Sequence, residues 1–180
     1  MAKVRTPRQR WIDEGWRLLA SGGPEAVRVE PLAAALGVTK GGFYWQFGDR
    51  RAFLETLLDA WEKAVTDEVI GLVEQHGGDA GQRLTELFDV VSQRGGLQPL
   101  ELAIRLWARE DPDVGARVHR VDERRLDYAR ELFGGITADP DQVEARSRVL
   151  LATYVAAPLL PPEPDPATML RAHLALLLTP

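Results

Sequence analysis

Apolar positions along this chain recur three and four residues apart rather than every second residue, so the pattern predicts helices almost throughout. Trp11, Gly15, Leu18 and Leu19 mark a first helix from about Pro7 to Leu19, with Thr6 as N-cap, Pro7 in the first turn and Gly22-Gly23-Pro24 as its stop. Leu32, Ala33 and Leu36 mark a second, starting near Val29 and ended by Gly37. Thr39 is an N-cap for a third, to which Phe43 and Phe47, four residues apart, give one buried face. Asp49 caps a fourth, for which Phe53, Leu54, Leu57, Leu58, Trp61, Val65, Val69 and Leu72 predict an unbroken stripe to about Gln75. Further stripes follow at Leu84–Val91, at Leu102–Trp107 and from Val114 to Leu132. Two final helices, about 140–157 and 166–178, flank a Pro-rich link from Pro158 to Pro166. No alternating run is bounded by hairpin turns, so the expected fold is all-α with about nine helices.

The third helix has a second face. Opposite Phe43 and Phe47 it shows Lys40, Gly41, Tyr44, Trp45 and Gln46: a cation, hydrogen-bonding tips and bare backbone. This is the layout of a helix-turn-helix whose second helix enters the DNA major groove. Gly41 and Gly42 each cost a helix about 1 kcal/mol relative to Ala, and in return allow close backbone approach. Thr39, Lys40, Trp45 and Gln46 remain to read bases, with DNA shape supplying part of the specificity. Arg28, at the cap of the second helix, forgoes a side-chain cap but offers phosphate a cation. Glu30 would be repelled by phosphate yet can accept from a cytosine amino group, and its role stays open.

Charge sharpens the picture. The net charge of −5 argues against a general polyanion binder. Residues 1–51, however, hold nine Lys/Arg against five acids, a net +4, while the remainder holds thirteen against twenty-two, a net −9. A basic head on an acidic body fits contact with nucleic acid at one end. Cysteine is absent, which excludes disulfides and thiolate metal sites. No apolar run reaches the ~18 residues needed to span a membrane, and Met1-Ala2-Lys3-Val4-Arg5 does not resemble a secretory leader. Cytoplasmic residence is expected.

The run from Gly37 through Val38-Thr39-Lys40-Gly41-Gly42-Phe43-Tyr44-Trp45-Gln46-Phe47-Gly48-Asp49 to Arg50 resembles the DNA-binding signature of the TetR family of transcriptional regulators. That signature reads Gly-Val-Ser/Thr-Lys/Arg-Gly/Ala-small-Leu/Phe-Tyr-aromatic-His/Tyr-Phe, then a small residue, a polar one and Lys. The likeness covers the first third of the chain; beyond it only length and helical plan agree. It implies a three-helix DNA-binding domain at 1–48 and a helical regulatory and dimerisation domain at 49–180. By the resemblance Tyr44 is the phosphate-contacting tyrosine, Arg50 takes the family's Lys position, and the basic lead-in Lys3, Arg5 and Arg8 lies near phosphates. Arg28 departs from the family's usual Thr or Ser cap, and Glu30 from its usual Arg or polar residue. The resemblance also implies dimerisation through the last two helices and a small effector held between body helices.

The residues agree with the last two points. From Val149 onward the penultimate helix is apolar on nearly every side and needs cover on every side, which a second subunit supplies. Leu151, Val155, Leu170, Leu174 and Leu177 are the interface candidates. Candidate effector walls are Trp61, Phe88, Leu102, Arg105, Leu106, Tyr128 and Tyr154. Arg125 joins them because it falls on the apolar seam Val118-Val121-Tyr128-Leu132, where a charge must pair, with Glu101, Asp122 or another internal carboxylate, or meet an anionic ligand. There is no nucleophile elbow or phosphate-cradling loop, so no enzyme and no cofactor are expected. His119, Asp122 and Glu123 share a helix face but are too few for a firm metal site. The expectation is a homodimeric, sequence-specific DNA-binding transcriptional regulator: a repressor on a palindromic double-stranded operator, released by a small hydrophobic effector. The alternative is an effector-free structural or partner-binding helical protein with weak DNA binding.

Overall fold

A computed structural model describes residues 7–161 and the helix at 166–178, the latter with side chains from 172 onward. Among the described residues the fold is all-α, with no strand. Its helices are α1 (Arg8–Ala26), α2 (Val29–Leu36), α3 (Lys40–Phe47), α4 (Arg50–Val65), α5 (Asp67–His76), α6 (Ala80–Gln93), α7 (Gln98–Trp107), α8 (Pro112–Gly134), α9 (Pro140–Ala156) and α10 (Pro166–Leu178). Short 3-10 turns lie at Gly95–Leu97 and Ala157–Leu159. The chain forms two compact units, Met1–Lys63 with Pro99–Val118, and Ala64–Gln98 with His119–Pro180.

The first unit is organised on an aromatic centre. Trp11 of α1 meets Phe43 and Phe47 of α3 edge-on at 5.6 and 6.3 Å, and Phe53 of α4 closes the cluster 5.1 Å from Phe43 and 4.6 Å from Phe47. Edge-to-face rings at these separations add specific attraction to the apolar area they bury. Gly37 ends α2 in the left-handed region at φ 66°, the conformation for which glycine carries no steric penalty. At the other end of the motif Asp49 caps α4, its carboxylate accepting from the Ala52 amide at 2.8 Å. Thr39 holds the N-cap position of α3 without a side-chain cap bond, and Pro7 takes the N-cap position of α1, leaving Thr6 outside the described residues. Gly22 and Gly23 break α1 as expected, and one further turn follows to Ala26.

Within this unit Arg117, on the first turns of α8, is gripped by three carboxylates of α4. It donates to Glu55 at 3.0 Å, to Glu62 at 3.1 Å and to Asp59. Burial lowers its guanidinium's affinity for a proton, but the Asp59 hydrogen bond and the three negative charges outweigh that and raise its pKa.

The second unit centres on Val73, Leu84, Phe88, Tyr128, Leu132, Phe133 and Leu177. An Asp79–Gln82 capping box starts α6, and Asp139 caps α9 through the Asp141 and Gln142 amides. One expectation is corrected here. The long fourth helix does not run unbroken to Gln75: Thr66, at φ −124° and ψ −86°, interrupts it, so α4 and α5 are separate. Counting that broken rod once gives the expected nine helices among the described residues. After the break the buried register passes to Val69 and Val73, and Leu72 is only half-buried.

Candidate nucleic-acid interface and effector cavity

The surface of α3 is built by what lies beneath it. Phe43 and Phe47 are anchored in the aromatic centre, so the opposite face is turned outward. Tyr44 is 51% exposed and Trp45 66%. Aromatic side chains of that size are seldom left in water without a partner to cover them. Thr39, Lys40 and Gly41 are exposed on the same surface, Gly42 and Gln46 half-buried. A Cβ on Gly41 would come no nearer than 3.9 Å to Thr39 Oγ1, and one on Gly42 no nearer than 3.8 Å to Trp11. The protein's own packing therefore does not demand either glycine.

Three cations expected at phosphates behave differently from one another. Arg28 is exposed at the N-cap of α2. Arg50 is turned onto the end of α1: its Nε donates to the Val27 carbonyl at 2.7 Å and one terminal nitrogen to that of Pro24 at 2.5 Å. Arg8 likewise caps α3, donating to the Gln46 carbonyl at 3.1 Å and to Thr56 at 3.2 Å, with its guanidinium 4.5 Å above the Phe47 ring. Arg8 thus braces the end of the reading helix, while Arg50 ties the start of α4 to the end of α1. Lys3 and Arg5 lie outside the described residues.

The second unit contains a cavity of about 630 Å³. Its walls are mostly aliphatic, with Phe88, Tyr128 and Tyr154 among them, and include Arg94, Arg125 and His173 but, among the described residues, no Asp or Glu. The helix break explains the arginines. A helix terminus leaves its last carbonyls without intrahelical donors. Here Arg125 Nε donates to the Val65 carbonyl at 3.3 Å, and Arg94 donates to that of Ala64 at 2.6 Å. Arg125 pairs with Asp122 at 3.7 Å and lies 4.9 Å over the Tyr154 ring; Arg94 pairs with Glu68 at 3.3 Å. Tyr128 gives its hydroxyl to Glu74 at 2.6 Å and presents its ring to the core. Burial first, then that hydrogen bond, pushes the Tyr128 phenol pKa well up, while the Tyr128 hydrogen bond holds Glu74 down.

Of the eight expected wall residues, Phe88, Arg125, Tyr128 and Tyr154 line this cavity. Trp61, Leu102, Arg105 and Leu106 do not line it. Trp61 is fully buried in the first unit, and α7 buries Leu100 and Ile104 there, which leaves Leu106 exposed. Arg105 pairs with Glu101 at 2.9 Å. Sequence reasoning missed Thr66 and Arg94. The signal for Thr66 was an N-cap residue followed at once by Asp67 and Glu68, two acids in a first turn.

The interface candidates divide as well. Leu177 is buried in its own unit's core, Leu174 packs against it and Leu151 lines the cavity, while Val155 is half-buried. Leu170 lies outside the described side chains. Among the described residues of the second unit, the large apolar side chains left exposed are Val149, Leu159, Leu160 and Leu176. Among the described residues, no three His, Asp or Glu side chains converge to hold a metal, His119, Asp122 and Glu123 included, and no helix is long and apolar enough to cross a membrane.

An all-α chain whose short second motif helix lifts a basic, aromatic face out of a braced three-helix module belongs, by architecture, with helix-turn-helix DNA-binding regulators. Residues 12–57 match the family described as bacterial regulatory proteins, tetR family. The TetR resemblance seen in the sequence is borne out, and the whole chain has the TetR-type fold. It is similar to the fatty acid degradation regulator FadR from Bacillus halodurans, at 19% identity and a TM-score of 0.72 over 98% of this chain and 97% of that one. A transcriptional regulator from Rhodococcus sp. RHA1 matches at 19% identity and 0.71, over 96% and 94%. A candidate transcriptional regulator from Saccharomonospora viridis, solved in complex with choline, matches at 17% and 0.69, over 94% and 92%. Comparison with curated proteins gave no match.

Proposed function

We propose that this chain is a sequence-specific transcriptional repressor that acts in the cytoplasm as a homodimer, with residues 1–48 reading DNA and 49–180 regulating and dimerising. Two copies of α3 would enter successive major grooves of a palindrome, ~34–36 Å apart. Arg28, Thr39, Lys40, Gly41, Gly42, Tyr44, Trp45 and Gln46 would form the contact surface, with Arg50 holding α4 to the end of α1 beside it. The observation that carries this reading is the exposure of Tyr44 and Trp45 on a helix whose other face is held by an aromatic core. The second subunit would cover Val149, Leu159, Leu160 and Leu176.

The cavity is the effector site in this proposal. Its volume suits a small molecule. A wall that is aliphatic and carries arginines, with no carboxylate among the described residues, favours an apolar molecule, neutral or with a hydrogen-bond acceptor, over a cation such as choline. An effector releases DNA only by binding more tightly to the state that misfits the operator.

Selection of genomic fragments by the purified protein, with Lys40→Ala/Tyr44→Ala as control, tests the reading. Recovery of a palindrome that the double variant fails to bind is the expected result. Equal, sequence-independent recovery by both proteins overturns it.

A further inference from the structure

Glu30 stands in the first turn of α2, and Lys40 opens α3. Lys40 Nζ donates to Glu30 Oε1 at 2.6 Å, although the two side chains are 52% and 63% exposed. The pair bridges both helices of the motif on the surface that carries Tyr44 and Trp45. Its hydrogen bond is the first cause, ahead of the bond from Glu30's own backbone amide, that holds the Glu30 carboxyl below its ordinary range; the same bond raises Lys40. Both groups are therefore charged at neutral pH.

A DNA phosphate and a base pair answer this pair differently. A phosphate that draws on Lys40 must share its ammonium with Glu30 or displace it, and either way a carboxylate is left facing a polyanion. Arg28, the other cation near Glu30, compensates it only weakly. A G·C pair instead presents guanine O6 and N7 as acceptors beside the cytosine amino donor in the major groove. Lysine and glutamate are then both satisfied.

Resting on the DNA-reading role proposed above, we propose that Glu30 is a specificity-determining residue: it withholds Lys40 from backbone phosphates and yields it to a G·C pair that satisfies both side chains. The pair thus lowers binding to DNA in general more than binding to the operator. Surface ion pairs are weak, so the effect is a bias and not a gate.

The test uses full-length wild type, Glu30→Gln, Lys40→Met and the double variant. Their affinities are measured for a 30-base-pair duplex carrying the selected palindrome and for a random-sequence duplex, between 50 and 200 mM salt. Glu30→Gln is expected to bind the random duplex about two- to fivefold more tightly and to steepen its salt slope by about 0.9, one added phosphate contact. Its ratio of operator to random affinity falls, and one G·C preference per half-site is lost. In the Lys40→Met background the same change has a smaller effect. An unchanged ratio and slope, in a wild type that does discriminate, overturns the proposal alone. So does an equal gain in both backgrounds, which would make Glu30 a plain repulsive charge. A wild type without sequence preference overturns the DNA-reading role and this inference with it. Thermal melts of these exposed-site variants are expected to match wild type.

Discussion

Arg125 Nε reaches the carbonyl oxygen of Val65, the last residue of α4, across 3.3 Å. This gives a reason for a cation on an otherwise apolar seam: the guanidinium serves a helix end that the break at Thr66 leaves short of donors. Asp122 offsets its charge. Removing one partner of a bond at a half-buried site leaves the other partly desolvated and unpaired, which costs about 1–3 kcal/mol. Arg125→Met is expected to lose about that much stability in urea, with Arg125→Lys between it and wild type. Equal midpoints for all three would show that the Val65 carbonyl does not depend on this donor.

Gly15 makes a second demand that stability can test. A Cβ built on it would stand 2.7 Å from Leu57 Cδ2 and 2.8 Å from Phe53 Cζ, and both neighbours are fully buried. Glycine here is a matter of close approach between α1 and α4, since its backbone is ordinary helix. Gly15→Ala improves helix propensity by up to about 1 kcal/mol but overpacks the core at a cost of about 1–3 kcal/mol. A net loss is expected, seen as a lower melting temperature. A gain would mean that Leu57 and Phe53 can move aside at little cost.

How far the sequence foretold this structure depends on the range of the interactions. The motif was legible because its determinants are local: Phe43 and Phe47 four apart, Gly37 at the turn and Asp49 at the next cap all act within a few residues. The stripe through Trp61, Val65 and Val69 was legible too, and it misled. A helix that stops and restarts after one residue keeps its apolar positions nearly in register, so periodicity hides the break at Thr66. The cavity was half visible. Its walls come from α5, α6, α8, α9 and α10, and no single stripe announces which faces meet. Leu102, Arg105 and Leu106 looked equivalent to Phe88 and Tyr128 because an apolar face does not say which core it joins. Arg94, just ahead of Gly95-Gly96, carries no local sign in the sequence of the Ala64 carbonyl to which it donates.

Glu144 supplies a pH-dependent prediction. It accepts from Arg130 of α8 at 2.7 Å and from Arg148, one turn along α9, at 2.5 Å. The Arg130 hydrogen bond foremost, with Arg148 and both positive charges adding to it against desolvation, takes its carboxyl from an ordinary 4.5 to about 2. A carboxylate with a depressed folded-state pKa contributes stability that is fully present above its unfolded value, here about 4.5, and lost as pH falls through about 2. Arg130→Gln is expected to move the Glu144 titration, followed by carboxyl-carbon NMR, up toward the ordinary range, and to flatten the fall in stability between those limits. A Glu144 titration that stays near 2 in the variant would assign the shift to Arg148 instead.

Gly41 and Gly42 separate folding from recognition. Both sit in a helix, where each costs about 1 kcal/mol relative to Ala, and a methyl group at either would meet only ordinary or distant neighbours. Among the described residues no contact repays that cost, and on the proposed reading the return lies with the DNA that approaches α3. Gly41→Ala and Gly42→Ala should each raise stability toward unfolding by up to about 1 kcal/mol. On the proposed reading, Gly41→Ala, at the exposed position, should weaken binding to the selected palindrome by about tenfold or more, as expected when a bidentate base contact worth about 1–3 kcal/mol is pushed away. Gly42→Ala, half-buried toward Trp11, should weaken it less. A Gly41→Ala protein that is both more stable and fully competent for DNA would mean that the backbone of α3 does not come close to the bases, and that reading rests on Lys40, Tyr44 and Trp45 alone.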